Sequence, residues 1–339
     1  MLRKYLDRVK PHFEPGGKLH AFHSVFDGFE TFLYTPTSTS SSGVHIHDSL
    51  DSKRVMIIVV LALMPCLLFG MYNTGYQNFL GSGMTEFPFW SVMAYGFLAI
   101  LPRIIVTYVV GLGIEFVVAQ WRKEEIQEGF LVTGILVPLI CPIETPIWML
   151  AVATAFAVIF AKEVFGGTGY NVFNVALVTR AFLFFAYPAS MSGDRAFISA
   201  NPICGLGGHV NFADGVSGAT PLGQVATTVG DKLHLTNIVG DPLSLWDAFL
   251  GLIPGSFGET STLCILIGAA ILLFTGIASW RVMLSVVAGG LFMGWIANLC
   301  QTPTYPASML SPVEQLVFGG FAFAAVFMAT DPVTAARTT

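Results

Sequence analysis

The stretch VMIIVVLALMPCLLFGMYN, which runs from Val55 to Asn73, contains no charged side chain. As a helix that rises about 1.5 Å per residue, it would cover roughly 30 Å, the thickness of the hydrocarbon core of a bilayer. The whole chain has the same character, because 54% of its 339 residues are hydrophobic and only 11% are charged. The sequence therefore predicts an all-α, polytopic membrane protein.

Further apolar segments extend this pattern, and together they predict about eight transmembrane helices, some of them short or broken. The run from Trp90 to Trp121 contains Pro102-Arg103, where we expect an interfacial segment to end before the span proper. The run from Phe130 to Ala161 is interrupted at residues 141–146, which predicts two short helices that meet at a polar turn. The remaining predicted spans are Asn174–Ala189, Leu263–Ser279, Val282–Cys300 and Val313–Thr330.

The distribution of Lys and Arg predicts the orientation in the membrane. With a cytoplasmic N-terminus, twelve of the sixteen basic residues lie on the cytoplasmic side, Lys162 among them, and only Arg195 and Lys232 lie outside. We therefore expect a cytoplasmic arm at residues 1–54 and a first membrane repeat of about five spans at 55–189. An outer-face loop at 190–262 and a second membrane repeat at 263–339, incomplete at its C-terminus, would follow.

The composition also argues against several classes of function. A formal net charge of −5 leaves no broad basic surface for nucleic acid. The cysteines are scattered and none of them forms a C-x-x-C pair, which argues against a zinc site or a self-contained iron–sulfur site. We therefore predict no metal site built from protein ligands.

The outer loop contains the most informative motif, D-G-V-S-G-A-T, from Asp214 to Thr220. It matches the pattern D-x-x-S-G-A-T, at which a flavin transferase attaches FMN to a threonine through a phosphoester. The small residues Ser217, Gly218 and Ala219 would leave the Thr220 hydroxyl accessible, and glycine lets the backbone approach a phosphate. The complete pattern beside membrane spans favours covalent FMN on Thr220 over an ordinary polar turn.

A second polar cluster, PGSFGETST, runs from Pro254 to Thr262 just before a predicted span. Its hydroxyl groups, backbone N–H groups and the Glu259 carboxylate could form a wall of the flavin site if the chain folds back. Ser256 and Ser261 are equally suitable as N-caps of the following helix. Both interpretations remain open at this stage.

A third segment, from Ala161 to Asn174, contains three glycines but lacks the patterns of a nucleotide-binding loop. Asn171 and Asn174 are three residues apart and would share one face of a helix. Their amides could hydrogen-bond the edge of a heterocycle, or they could join two helices by hydrogen bonds.

Ionisable residues also occur inside or beside the apolar runs, namely Glu115, Glu144, Arg180 and Asp331. Such residues are rare within membrane segments and are candidates for an ion path. Asp331 follows the last predicted span directly and could equally be an interfacial residue.

Taken together, these motifs resemble the B subunits of sodium-translocating NADH:quinone oxidoreductases. The resemblance begins at HFEPGGK (residues 12–18) and ends at FMATDP (residues 327–332). Between them lie KEVFGGTG (162–169), RAFLFFAYP (180–188) and SGAT (217–220). They are long and cover nearly the whole chain.

The resemblance implies ten helices in two inverted five-helix repeats, an FMN on Thr220 and a noncovalent riboflavin near Asn171 and Asn174. Electrons would pass from FMN through riboflavin to ubiquinone, coupled to sodium export. The resemblance also implies a role for Glu115 in the sodium pathway, and we add Gly111, Glu144 and Asp331 as candidates for the ion or quinone path. Expected flavin contacts include Ser256 and Glu259.

The same resemblance implies a multi-subunit translocase in the bacterial inner membrane. Its partners would be a subunit with the NADH site, FAD and a [2Fe–2S] centre, a second subunit with covalent FMN, and small membrane subunits. A flavin transferase would be needed for maturation.

Three alternatives remain open from the sequence. The D subunit of an Rnf-type ferredoxin:NAD oxidoreductase shares S-G-A-T, although the arm at residues 12–18 argues against it. The other two are a flavin-free secondary transporter with broken helices and a structural anchor without its own redox group. Each of these two predicts an unmodified Thr220.

Overall fold

The computed structural model describes residues 2–13, 17, 26, 30, 43, 52–84, 86–122, 129–193, 197–198, 218–228, 233–301 and 305–336. Within these residues the regular structure is helical, and no β-strand forms beyond one isolated bridge between Thr236 and Pro242. The predicted all-α class is therefore confirmed for this part of the chain.

Among the described residues, four helices are long and apolar enough to cross a bilayer. They are α2 (Ser52–Gly81), α3 (Phe89–Arg122), α5 (Ile147–Ala157, continued to Phe165) and α11 (Trp280–Leu299). Three shorter apolar helices accompany them, α4 (Phe130–Ile140), α6 (Val175–Ala186) and α10 (Thr262–Phe274). This set of helices is that of a multi-pass membrane protein, while the exact number of crossings remains a prediction.

Short helices connect or extend these elements. They are α1 (Leu2–Val9), α7 (Pro188–Met191), α8 (Pro221–Thr227), α9 (Leu245–Leu250), α12 (Pro312–Val317) and α13 (Phe321–Phe323). Two 3₁₀ turns cover Lys10–His12 and Pro306–Met309. None of these elements exceeds eight residues, so at about 1.5 Å per residue none can cross a bilayer alone.

Helix α2 lies at the centre of the fold and packs against both α3 and α10. The α2–α3 contact is close because glycines face backbone carbonyls across it. A Cβ on Gly96 would lie 1.8 Å from the Met71 carbonyl oxygen, and one on Gly75 would lie 2.1 Å from that of Val92. Small residues are what allow membrane helices to approach this closely.

Our expectation that a segment ends at Pro102-Arg103 is wrong, because α3 continues through Pro102. Proline lacks an N–H for the preceding turn, but neighbouring groups can satisfy the backbone of a membrane helix. Here the buried Arg103 guanidinium donates to the carbonyl of Ala99, 2.6 Å away, and also to the carbonyl of Ile143. Pro102 leaves the carbonyl of Leu98 free rather than that of Ala99, so these bonds do not replace the lost one. They join α3 to the turn after α4.

The predicted break at residues 141–146 is confirmed, since α4 ends at Ile140 and α5 begins at Ile147. The expectation that both halves are short is wrong for the second half. A π-helical turn (Val158–Lys162) and a 3₁₀ turn (Glu163–Phe165) continue α5 to a total of 19 residues. The second half is thus long enough to span, whereas α4 is not.

The predicted continuous span Val313–Thr330 is broken instead. After α12, Gly319 adopts a left-handed conformation with φ of +80°, and the chain resumes as α13 and a π-helical turn at Ala324–Met328. The left-handed region suits glycine because it has no Cβ. The Gly319-Gly320 pair is the sequence signal for this break, and hydropathy alone obscured it.

The two π-helical turns share a sequence pattern, Ala-Val-x-x-Ala, at residues 157–161 and 325–329. Each turn leads directly to ionisable residues, Lys162-Glu163 in the first case and Asp331 in the second. Single π-turns inside helices occur frequently at functional sites. Lys162 and Asp331 line the same cavity.

Candidate functional site

Thr220 lies at the wall of a cavity that it shares with two segments distant in sequence, residues 253–260 and the Gly319-Gly320 pair. It caps α8, where its Oγ1 accepts a hydrogen bond from the Gly223 N–H at 3.0 Å. Its backbone N–H donates to the Gly193 carbonyl at 2.8 Å. Gly218 and Ala219 lead directly into this position, whereas Asp214 and Ser217 lie outside the described residues.

The predicted polar cluster does fold back onto Thr220. Ser256 and Glu259 line the same cavity, as do Gly319 and Gly320 from the broken segment between α12 and α13. The cavity wall thus combines hydroxyl, carboxylate and guanidinium groups with the backbone of three glycines, Gly255, Gly319 and Gly320. Thr220 Oγ1 accepts a hydrogen bond here, and an ester oxygen can also accept one. The bond from the Gly223 N–H could therefore persist after a flavin phosphate replaces the hydroxyl proton. The residues present therefore fit an FMN attached at this position.

The segment that carries Ser256 also closes the broken end of α4. The last carbonyls of a helix have no partner within it. Here the Gly258 N–H donates to the Leu139 carbonyl at 2.8 Å, and the Ser256 hydroxyl donates to the Ile140 carbonyl at 3.2 Å. Ser256 is thus not an N-cap, whereas Ser261 is the N-cap of α10 and accepts from the Cys264 N–H at 3.3 Å.

Arg180 completes this arrangement from α6. Its guanidinium donates to the Ile140 carbonyl at 2.7 Å and forms an ion pair with Glu259. Glu259 lies in the loop before α10, where burial raises the pKa of its carboxyl group and the Arg180 guanidinium opposes that rise. The pair joins α4, α6 and the loop at the wall of the Thr220 cavity.

A second cavity, of about 380 Å³, brings together Lys162, Asn171, Asn174 and Asp331. The Asn174 amide donates to Asp331 at 3.1 Å, and the Thr334 hydroxyl donates to the same carboxylate oxygen at 2.6 Å. Asp331 is thus held beside Asn174 across 157 residues of sequence. The amide, ammonium and carboxylate groups offer the donors and acceptors that the edge of a polar heterocycle would need.

Our expectation that Asn171 and Asn174 share a helical face is wrong. Asn174 is the N-cap of α6 and accepts from the Leu177 N–H at 3.2 Å, so the helix begins only at Val175. Asn171 lies in the preceding turn, where its amide donates to the Phe173 carbonyl at 3.1 Å. Asparagine favours such caps and turns because its side chain competes for the backbone. Both residues nevertheless reach the same cavity.

Glu115 is buried within α3 and forms an ion pair with Lys162, each side chain being 5% exposed. The other Glu115 oxygen, Oε2, is buried without a hydrogen-bond partner in the described structure. Lys162, which we counted on the cytoplasmic side, is thus a buried side chain with a partner inside the protein, and the side of the membrane on which it lies stays a prediction. Next to it, the Arg122 guanidinium donates to the Glu163 carbonyl at 2.7 Å.

Sequence reasoning missed Lys162 because it follows an apolar run, where a charge normally marks the end of a span. Its partner lies 47 residues earlier in the chain. The available signal was that Glu115 is an intramembrane carboxylate, which requires a counter-charge.

Two further candidates do not join either cavity. Glu144 is exposed in the turn after α4, while Gly111 contacts the beginning of that helix. A Cβ on Gly111 would lie 1.9 Å from the Phe130 ring, so this glycine makes room for a buried aromatic side chain.

Comparison with known proteins adds the family. The model described as the NQR2, RnfD, RnfE family matches residues 39–339. Similar curated proteins include the B subunit of Na(+)-translocating NADH-quinone reductase from Pseudomonas paraeruginosa strain PA7. That protein is 41% identical over 359 residues, which cover 99% of this chain and 85% of the relative.

Proteins of the same name from Yersinia pestis and Azotobacter vinelandii are each 40% identical to this chain. The match covers 99% and 100% of this chain respectively, and 85% of the relative in both cases. With a family model over most of its length and relatives well above 30% identity, the chain belongs to the NQR2, RnfD, RnfE family.

Proposed function

We propose that this chain is the B subunit of a Na⁺-translocating NADH:quinone reductase, a translocase of the bacterial inner membrane. The observation that carries the proposal is the near full-length similarity to proteins of that name, at about 40% identity. The chain would carry covalent FMN on Thr220 and pass electrons through riboflavin to ubiquinone while Na⁺ is exported. It would act with the remaining subunits, which supply the NADH site, FAD, the [2Fe–2S] centre and a second covalent FMN.

The geometry around Thr220 supports covalent attachment. The residue ends the S-G-A-T motif and lines a cavity whose wall carries hydroxyl, carboxylate and guanidinium groups. When bound, the flavin would supply the electron transfer, and the protein would contribute position and charge. Thr220 would hold the phosphate end, while Ser256 and Glu259 form the opposite wall.

The second cavity supports a noncovalent flavin site. The Asn171 and Asn174 side chains and the Lys162 ammonium can hydrogen-bond the carbonyl and nitrogen atoms of a flavin edge. Asp331 would orient the Asn174 amide through the bond at 3.1 Å. Riboflavin has no phosphate group, so its site does not need a cluster of basic residues. The charged residues among those that line this cavity are one lysine, Lys162, and one aspartate, Asp331.

Glu115 is the best-supported part of a sodium path. Hard cations take oxygen ligands, and Glu115 Oε2 is a buried oxygen without a hydrogen-bond partner in the described structure. Lys162 neutralises the carboxylate from the other side. A Na⁺ ion would therefore have to share Glu115 with Lys162 or displace it.

The orientation and the division into segments complete the proposal. We place the N-terminal arm, residues 1–54, in the cytoplasm and the loop at 190–262 on the outer face. Residues 55–189 and 263–339 would form the two membrane repeats. The excess of Lys and Arg on the proposed cytoplasmic side is the argument for this orientation.

The decisive experiment expresses the chain with a flavin transferase and records intact mass and in-gel flavin fluorescence. We expect a fluorescent band with the added mass of an FMN phosphoester. Thr220→Val should abolish both signals. Thr227→Val, which removes an exposed hydroxyl from the same short helix, should retain them. An unmodified wild-type chain would instead support a flavin-free transporter or a structural anchor.

The D subunit of an Rnf-type complex is the alternative within the same family. The two differ in their electron donor and acceptor rather than in the Thr220 site. NADH-driven quinone reduction by the purified complex, without ferredoxin-dependent activity, would support the first assignment.

A further inference from the structure

The ion pair between Arg180 and Glu259 lies in the wall of the Thr220 cavity, and no sequence motif predicts a role for Arg180 there. We propose that Arg180 is a positioning residue for the flavin on Thr220. Its guanidinium would hold the flavin ring by hydrogen bonds and favour the reduced, negatively charged form. This inference rests on the proposed attachment of FMN to Thr220 and specifies what controls its redox potential.

Arg180 is held in place rather than free to move. One guanidinium nitrogen, Nη1, donates to the Ile140 carbonyl at 2.7 Å and to the Glu259 carboxylate. The Ile140 carbonyl belongs to the broken end of α4, and Ser256 donates to the same oxygen. Arginine has five N–H donors. Nη1 is thus used by the protein, while the other donors make no hydrogen bond to the described residues and belong to a side chain that lines the cavity.

Arg180 is the more exposed member of the ion pair. Its side chain is 33% exposed, whereas the Glu259 side chain is 8% exposed. Both residues line the cavity, so the Glu259 carboxylate partly offsets the charge of the guanidinium. A ligand in the cavity would meet an electrostatic field that depends on both residues.

The backbone around Glu259 is shaped to admit this pair. A Cβ on Gly320 would lie 2.6 Å from the Glu259 carboxyl carbon, so a side chain there would displace the carboxylate. Gly320 and its neighbour Gly319 both line the cavity. The break between α12 and α13 therefore leaves space for the carboxylate at the cavity wall.

The chemistry is electrostatic and involves no bond to Arg180. Electrons supplied by NADH oxidation in the partner subunits would reduce the flavin, which then carries negative charge. The Arg180 guanidinium brings a fixed positive charge to the cavity. It would stabilise the added charge and make reduction easier, whereas Glu259 would make reduction harder.

The test is a redox titration of the purified complex with three variants, Arg180→Gln, Arg180→Lys and Glu259→Gln. The signal of the relevant flavin is the part of the spectrum that Thr220→Val removes. Intact mass first establishes that FMN is attached in each variant. We expect Arg180→Gln to lower the midpoint potential and Glu259→Gln to raise it. Each shift should be of the order of tenfold in the one-electron equilibrium constant, or about 59 mV.

Arg180→Lys should stay close to the wild type, since it retains the charge. Opposite shifts for the two neutral variants are a signature that a purely structural role would not produce. If Arg180→Gln fails to assemble, Glu259→Gln alone tests the sign, and an unchanged or lowered potential would overturn the inference. Unchanged potentials with FMN attached reject only the role of Arg180. A wild-type chain without FMN rejects the proposed function itself.

Discussion

Lys162 and Glu115 form a buried ion pair, although they lie 47 residues apart in the sequence. The pair links the two candidate regions of the membrane core. Glu115 belongs to the proposed sodium path, and Lys162 also lines the cavity that contains Asn171 and Asn174. One side chain thus contacts both the carboxylate and the proposed riboflavin site.

Glu115→Ala should weaken the Na⁺ dependence of turnover, because it removes the buried carboxylate with an unpartnered oxygen. The measurement is the rate of quinone reduction by the purified complex as a function of Na⁺ concentration. Glu144→Ala is the matched control, since that carboxylate is exposed at the far end of α4. Unchanged Na⁺ dependence in Glu115→Ala would remove Glu115 from the pathway.

Lys162→Met should destabilise the protein strongly, because it leaves the Glu115 carboxylate buried without its counter-charge. Loss of one partner of a buried ion pair typically costs about 3–5 kcal/mol. The double variant Lys162→Met with Glu115→Gln removes both charges and should recover much of this loss. Thermal unfolding of the detergent-solubilised complex gives the comparison. Equal destabilisation in the single and double variants would contradict a direct charge interaction.

Hydropathy led to the correct class of fold and to most of the apolar helices, because it is a local signal. The continuation of α3 through Pro102 was not predictable in this way. The bond from Arg103 to the Ile143 carbonyl, which joins this part of α3 to the turn after α4, is a tertiary contact that the local sequence does not contain. The break in the last apolar segment did have a local signal, the Gly319-Gly320 pair, but hydropathy does not register it.

The sites show the same limit. Residues near Thr220 in sequence were found from the motif, but the Arg180–Glu259 pair joins residues 79 apart. Asn174 was recognised, yet its capping role and its bond to Asp331 depend on where α6 begins and on the far end of the chain. Residue type identified the candidates, and only the tertiary structure determined their partners.

Asn174→Ala and Asn174→Ser separate the two roles of this residue. Serine keeps an N-cap acceptor for α6, so it should cost little stability, whereas alanine should cost about 1 kcal/mol. Both variants lose the amide that bonds Asp331. We therefore expect both to lower the riboflavin content of the purified complex, measured by chromatography after denaturation. Full riboflavin content in Asn174→Ser would argue against this cavity as the riboflavin site.

The packing of α2 against α3 gives a prediction that is independent of any cofactor. A Cβ on Gly96 would lie 1.8 Å from the Met71 carbonyl oxygen, and that oxygen belongs to the backbone of α2. Gly96→Ala must therefore push the two helices apart, and overpacking of this kind typically costs about 1–3 kcal/mol. Gly113→Ala is the matched control in the same helix, because a Cβ added there would meet no atom within 4 Å.

Gly113→Ala should be neutral or stabilising by up to about 1 kcal/mol, since alanine is the better helix former. Thermal unfolding of the two variants, side by side in one detergent, should give shifts of opposite sign. A Gly96→Ala variant as stable as Gly113→Ala would mean that α2 and α3 do not touch at Met71. The central contact of the fold would then have to be reassigned.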